Sequence, residues 1–296
     1  MTAGPQIPEV DLVALEEAPD EAVKKSLGIG FWISVAWLVL IVVISILAPV
    51  LPLADPEKIG LGSKFQSPGS EGWFGFDSNG RDVFSRVIWG SRVSLTVGFI
   101  AVVAGLLIGG PLGMMAGYFR GWVDRVVSFA FLILLSFPAL ILALLIVNSV
   151  ETRSLRVVAL TLGVLAIAPV GRLARANTIV FAEREFVHAA RVVGAKNTRI
   201  LTRELLPNVL IPMGALALLG VAILIVAEGG LAFLGLSVEE GATWGKMILE
   251  GSSPGALKDG PHVAMFPIGI MFLTVLALNY AGDKVREFFD VRETAF

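Results

Sequence analysis

Cysteine is absent from the 296 residues, which excludes disulfides, thiolate metal sites and cysteine nucleophiles. Charge is scarce as well: Asp, Glu, Lys and Arg make up 16% of the chain, where a soluble domain carries about a quarter. Neither sign dominates, and a net charge of −2 gives no reason to expect a nucleic-acid partner. A basic start of the kind that opens a secretory signal is missing too. Glu9, Asp11, Glu16, Glu17, Asp20 and Glu21 make the first stretch acidic, and Pro5, Pro8 and Pro19 discourage a helix there. What the chain has in quantity is aliphatic surface, with 55% hydrophobic residues and a mean hydropathy of +0.81. The class this implies is an all-α polytopic membrane protein.

A helix needs about 20 apolar residues to cross the hydrocarbon core. Five stretches satisfy this, at 31–53, 94–115, 126–150, 211–236 and 263–280. A sixth, 155–170, is shorter and contains Pro169, but Arg153 and Arg156 flank one end and Arg172 and Arg175 the other. Six spans put both termini on one side, and the bias of Lys and Arg toward the cytoplasm selects that side. Seven basic residues fall between Arg172 and Arg203, so that loop and both termini are expected inside. The resulting plan is an acidic cytoplasmic tail over 1–30, a first span at 31–53 and an external loop at 54–93. A core of five spans follows at 94–283, and a cytoplasmic tail closes the chain at 284–296. Lys24 and Lys25 are placed as cytoplasmic anchors, and Trp73, Trp89 and Trp244 as external interfacial residues. His188 and His262 then lie in different compartments, so no shared metal site is expected.

The inside loop over 184–208 is too polar to insert and too short to span. Phe186, Ala189, Ala190 and Val193 recur at helical spacing and give one apolar face. Gly194 suits a helix end in the left-handed conformation. Asn197 or Thr198 is expected to cap a second short helix, and Pro207 to close it. Two uses suit such an object: a helix pair resting on lipid headgroups, or a rigid knob inserted into a partner's groove.

The residues of this loop resemble the EAA coupling loop of ABC importer permeases. The peptide branch of that family shows a pattern close to E-[FY]-V-x-A-A-R-x-x-G-A-x-x-x-x-I-x-x-R-x-x-L-P-N. It is matched here by Glu185, Ala189, Ala190, Arg191, Gly194, Ala195, Ile200, Arg203, Leu206, Pro207 and Asn208, with His188 where the motif's glutamate stands. The stretch from Asp77 to Leu95 is similar to the branch's G-T-D-x-x-G-R-D-V-F-S-R-V-I-Y-G-A-R-V-S-L, with Phe76 in place of the threonine. The runs from Gly229 to Leu236 and from Asn279 to Arg292 resemble two further family segments, the latter with Val291 where proline is usual.

The resemblance implies a permease subunit in a bacterial cell membrane, paired with a homologous second permease and embedded in lipid. It implies two cytoplasmic ATPases that carry ATP and Mg, and an external substrate-binding protein. Movement of the ATPases would reach the spans through the 185–207 knob. The chain itself has no G-x-x-x-x-G-K-[ST] phosphate loop; the run from Gly241 to Met247 has the wrong register and last residue. Peptide is the cargo the branch implies, with nickel chelate, glutathione and haem as alternatives within the class. An ion-driven secondary transporter would show inverted repeats and several intramembrane charges. An intramembrane enzyme would show a nucleophile with a base, or metal ligands. The residues offer only Glu228 as a clear charge within a span.

Glu228 therefore has two uses, on the pathway or gate, or as a structural strut. Gly105, Gly109, Gly113 and Gly117 form a small-residue stripe suited to close helix packing, within the subunit or against its partner. Pro138, after Phe137, and Pro169 are expected to mark kinks.

Overall fold

The computed structural model describes residues 27–293. The acidic tail and the Lys24-Lys25 anchor fall outside the described residues, and residues 290–293 are described as backbone only. Among the described residues the secondary structure is helical, apart from one isolated bridge between Phe76 and Asp82. The helices are α1 (Gly28–Leu47), α2 (Val83–Phe119), α3 (Gly121–Ser136), α4 (Ala139–Asn148), α5 (Leu155–Ala182) and α6 (Glu185–Val192). After them come α7 (Asn197–Arg199), a π-helical stretch (Ile200–Leu205), α8 (Leu206–Phe233), α9 (Trp244–Gly251), α10 (Pro254–Asp259) and α11 (His262–Glu293). Five helices are long and apolar enough to cross a membrane, and α3 with α4 make a sixth crossing if the bent pair is taken as one span.

The helix boundaries depart from the hydropathy reading for local reasons. The second span was placed from residue 94, yet α2 starts eleven residues earlier at Val83. The Asp82 carboxylate caps it by accepting from the Ser85 amide at 2.7 Å. The first three turns carry Arg86 and Arg92, so helix begins well before apolar character does. At 37 residues, α2 is about 55 Å long, far more than the roughly 30 Å hydrocarbon core. By hydropathy the stretch 126–150 reads as one span with a kink. It is two helices bent by 86°, because Phe137, forced out of the helical region by Pro138, is extended at φ −85°, ψ 134°. Pro169, by contrast, sits inside an unbroken α5 that runs on to Ala182, so Arg172 and Arg175 belong to the helix and not to a loop.

Pro207 does not close a short helix. It lies in the first turn of α8, and the chain is helical from Asn197 to Phe233. The π-helical stretch before it lets the Leu206 amide reach the Leu201 carbonyl, a wider register that accommodates a residue with no amide donor.

The centre of the fold is the pairing of α2 with α5, the most extensive in the molecule. The glycine stripe of α2 lies against α5 of the same chain. A Cβ on Gly105 would stand 2.8 Å from the Ala166 Cβ, and one on Gly117 would stand 2.7 Å from the Arg175 carbonyl oxygen. Cβ atoms on Gly109 and Gly113 would collide with the carbonyl oxygens of Ile167 and Gly171. Gly163 of α5 returns the contact, since a Cβ there would stand 2.8 Å from the Ala104 Cβ. The two backbones thus run almost in touch, with α8 and α11 packed outside them. Helix α1 stays peripheral, with buried residues only at Ile41 and Ser45. Trp37 Nε1 donates to Thr274 Oγ1 of α11 at 3.2 Å, and the Ser45 hydroxyl meets Ser91 of α2 at 2.7 Å.

At the end of the bundle where α2 begins, a cap of irregular chain is locked by buried ions. Asp77 is 1% exposed. Its carboxylate accepts from the amides of Asn79 and Arg81, from Arg81 Nε at 2.7 Å and from an Arg86 terminal nitrogen at 2.6 Å. Glu250 of α9 closes the cluster at 2.8 Å from Arg81 and 2.6 Å from Arg86. Trp244 was expected at the membrane interface. It is instead wholly buried, donating from Nε1 to the Val87 carbonyl at 3.1 Å. Phe74 stacks on Phe266 of α11 at 3.9 Å.

Two stability outcomes follow from this packing. Gly113→Ala should destabilise the detergent-solubilised protein by about 1–3 kcal/mol through overpacking. Gly110→Ala, where the nearest atom is a methionine methyl at 3.7 Å, should be neutral or slightly stabilising; thermal denaturation followed by size-exclusion chromatography separates the two. In the same assay Asp77→Ala, which strands two arginines, should cost about 3–5 kcal/mol, and Glu57→Ala, on a half-exposed side chain, under about 1 kcal/mol.

Candidate functional site

At the other end of the bundle, α6 turns back beneath α2 and α5. The chain leaves α5 at Glu183 and adopts an extended conformation at Arg184 before α6 begins. The helix ends as a Schellman motif: the Gly194 amide donates to Arg191 O at 2.9 Å and the Ala195 amide to Ala190 O at 3.0 Å. Gly194 has φ +82°, the left-handed conformation that favours glycine. The expected side-chain cap on the next helix is not there. Lys196 occupies that position with no capping hydrogen bond, and Asn197 instead accepts from the Tyr118 hydroxyl of α2 at 2.9 Å.

The residues that seat this knob on the bundle lie off the apolar repeat of Phe186, Ala189 and Val193. Val187, Ile200 and Leu205 are fully buried, packed with Met114 and Tyr118 of α2 and with Ala174 and Phe181 of α5. Ala190, Ala195 and Leu206 are partly buried against that cluster. Phe186, Ala189 and Val193 are exposed, together with Val192. Val192 and Val193 are 88% and 86% exposed at the tip. One apolar face therefore seats the knob on the bundle, and a second is uncovered within this chain.

The motif residues divide accordingly. Ile200 is buried, and Ala190, Ala195 and Leu206 brace the knob from below. Glu185, His188, Ala189, Arg191, Gly194, Arg203 and Pro207 lie on the exposed side. Ionic contacts steady the base. Arg120 meets Glu183 at 2.6 Å, His188 Nε2 lies 3.9 Å from Glu183, and the Arg191 guanidinium stands 5.3 Å from the Tyr118 ring centre. Arg175 and Asp124 form a two-pronged pair at 2.5 and 2.7 Å between α5 and α3, tying the broken span to the same platform.

Glu228 sits near the far end of α8 and is 1% exposed. One carboxylate oxygen accepts from the Ser237 hydroxyl at 2.5 Å. The other has no hydrogen-bond partner among the described residues and faces Gly245 of α9, where a Cβ would stand 3.3 Å away and 2.6 Å from the Gly229 Cα. The carboxyl thus lies at the contact between α8 and the outer cap.

Above it lies a polar cleft of about 410 Å³ that sequence reasoning missed. It is bounded by Glu57, Arg81 and Glu250 of the cap and by Arg153, Glu239 and Lys246 around the loop after α8. These residues are scattered over nearly two hundred positions, and no local motif marks them. Burial holds the Lys246 ammonium below the ordinary lysine range, against the opposing pull of Glu57, Glu250 and Glu228. A second, apolar cavity of about 440 Å³ opens between α5 and α8, lined by Leu165, Pro169, Leu216 and Ile223. Among the described residues no group of three or more His, Asp or Glu is arranged to hold a metal ion.

The chain is similar to known proteins. Residues 109–292 fit the family model described as "Binding-protein-dependent transport system inner membrane component". The chain is 37% identical over 250 residues to the dipeptide transport system permease protein DppC of Alkalihalophilus pseudofirmus, covering 84% of this chain and 81% of that one. It is 36% identical over 226 residues to the glutathione transport system permease protein GsiD of Pectobacterium atrosepticum, covering 76% and 74%. The fold is shared with the inward-facing MetNI methionine ABC transporter at a TM-score of 0.56 and 20% identity, covering 68% of this chain and 94% of that one. By these matches the chain belongs to the binding-protein-dependent transport system inner membrane components, the multi-pass permease subunits of bacterial ABC importers.

Proposed function

We propose that this permease carries short peptides, glutathione among them, and that both its termini and the 184–208 knob face the cytoplasm. In this proposal a homologous second permease completes the pathway and an external binding protein delivers the cargo. Two cytoplasmic ATPases, which hold ATP and Mg, receive the tip of the knob in a surface groove. The observation that carries the proposal is the knob itself, seated by Val187, Ile200 and Leu205 while Val192 and Val193 remain uncovered. An apolar tip on a braced helix is suited to a partner's groove. Peptide cargo is supported by the two relatives, whose names specify dipeptide and glutathione transport.

The route for force is also supported by the geometry. Asn197 to Phe233 is one continuous helix, so displacement at the knob is delivered along α8 to Glu228 and the outer cap. The cluster around Val187 connects the same displacement to α2 and α5. A difference in affinity of the partners for the two positions of the knob is what would drive the pathway between its states.

Coupling is tested with the complete complex in liposomes. ATP-dependent dipeptide uptake should fall to background with Gly194→Pro, because proline is locked near φ −65° at a position that needs +82°. Gly194→Asn, which tolerates the left-handed region, should keep most of the uptake, and both complexes should still assemble. Uptake that ignores the proline, or that runs on an ion gradient without ATP, would refute the coupling role.

Orientation has a separate test, helped by the absence of native cysteine. A single cysteine replacing Val193, in the permease expressed without the ATPases, should react with an impermeant maleimide in inside-out vesicles and not in intact spheroplasts. One replacing Leu257, which is 56% exposed, should show the reverse. The opposite labelling pattern would overturn the orientation.

A further inference from the structure

The outer polar cleft is a built site with unspent binding capacity. Four basic side chains (Arg81, Arg86, Arg153 and Lys246) and three acidic ones (Glu57, Glu239 and Glu250) line it. Its near balance of sign disfavours a simple anion or a bare cation and suits a ligand that brings one charge of each kind. Two groups are left incompletely used. Arg86 is 1% exposed, and its Nε–H has no acceptor. Lys246 is half-buried, and among the described residues no carboxylate lies within ion-pair distance of it. Its ammonium donates only to the backbone carbonyls of Glu239 and Gly241, both at 3.0 Å, and an ammonium has three protons to donate.

The acidic side is similarly open. Glu57 meets Arg81 through one oxygen at 3.2 Å, and Glu239 meets Arg153 through one oxygen at 3.1 Å; both side chains are more than two-fifths exposed. A volume of about 410 Å³ falls within the roughly 300–1,000 Å³ of small-ligand cavities. The position is informative too. The cleft opens where the end of α8, α9 and the cap meet, and Lys246 and Glu250 lie one helical turn apart on α9. Directly beneath α9 is Glu228, on the helix that continues to the knob.

We propose that this cleft is a receiving site for the charged ends of a short peptide zwitterion. Its carboxylate is taken by Lys246 and the neighbouring arginines, and its ammonium by Glu57 and Glu239. The inference rests on the peptide cargo proposed above and adds a contact between cargo and this chain before the spans. A bound carboxylate supplies Lys246 with the anion that it lacks, which offsets its desolvation. It also joins α9 to the cap through the ligand, so occupancy is felt at the α8–α9 contact.

The test uses the assembled complex in nanodiscs, without the binding protein. Equilibrium dialysis with radiolabelled dialanine should show saturable binding. N-acetylation or C-terminal amidation of the dialanine should weaken it at least about tenfold, as expected for loss of one charge-assisted contact. Lys246→Gln, and independently Glu239→Gln at the exposed rim, should weaken it to a similar degree while uptake through the binding protein persists at reduced rate. No saturable binding, binding indifferent to the blocked termini, or binding unchanged in both variants would overturn the site. Glycerophosphoethanolamine competing as well as unlabelled dialanine would overturn it too, identifying a lipid-headgroup site in its place. These failures are separable from failure of the cargo itself, because in that case the wild-type complex with its binding protein would transport no peptide.

Discussion

The backbone contact between α2 and α5 is the constraint on which the other elements depend. Gly105, Gly109, Gly113 and Gly117 on one side, with Gly163, Ala166 and Gly171 on the other, bring two long helices nearly to van der Waals contact of their main chains. In lipid there is little hydrophobic force to hold helices together, so close packing of this kind supplies much of the association. The pair then serves as a rigid beam. Its ends carry the two polar assemblies, the knob on Val187 and Ile200 and the cap on Asp77 and Arg86.

Each assembly solves the same problem with different chemistry. The knob must stay folded although it is outside the apolar bundle, and it does so by burying three side chains on the beam while a Schellman turn fixes the direction of its tip. The cap must hold loop residues 54–82 and α9 against a helix end that carries charge. It does so with a carboxylate–arginine cluster in which Asp77 accepts four hydrogen bonds and Glu250 closes the far side. Such a cluster contributes little net stability when complete, yet removing one member leaves a buried charge uncompensated. It fixes the cap in place more than it strengthens it.

Between these ends, α8 is the element that touches both. The π-helical register before Pro207 keeps knob and span in one helix, and Glu228 near the other end presses beneath α9. A proline that reads as a stop in the sequence is thereby part of a continuous helix. The broken α3–α4 pair has the opposite character: its right-angle bend uncouples two segments that hydropathy joins.

Membrane class and the knob were legible in the chain because each rests on local composition; the count of crossings was legible only as five or six, since α3 and α4 are one stretch in hydropathy and two helices in the fold. Twenty apolar residues can be counted, and a left-handed glycine after a helical repeat is a signal confined to a few positions. The motif from Glu185 to Asn208 marked the knob for the same reason. Helix boundaries were less legible, since α2 begins among arginines that the cap neutralises and α8 passes through a proline that a change of register accommodates. Which apolar residues seat the knob was not legible, because Phe186, Ala189 and Val193 are as apolar as Val187; only the direction in which α6 approaches α2 and α5 decides which of them is covered. The outer cleft was invisible, as its charges are drawn from Glu57 to Glu250 and become a site only when α2, α8 and α9 converge. The sequence by itself determined what each segment prefers as solvent and where the backbone bends sharply. Which side chains meet across the fold was decided by the tertiary structure alone, because proximity between distant residues depends on helix packing that no local pattern encodes.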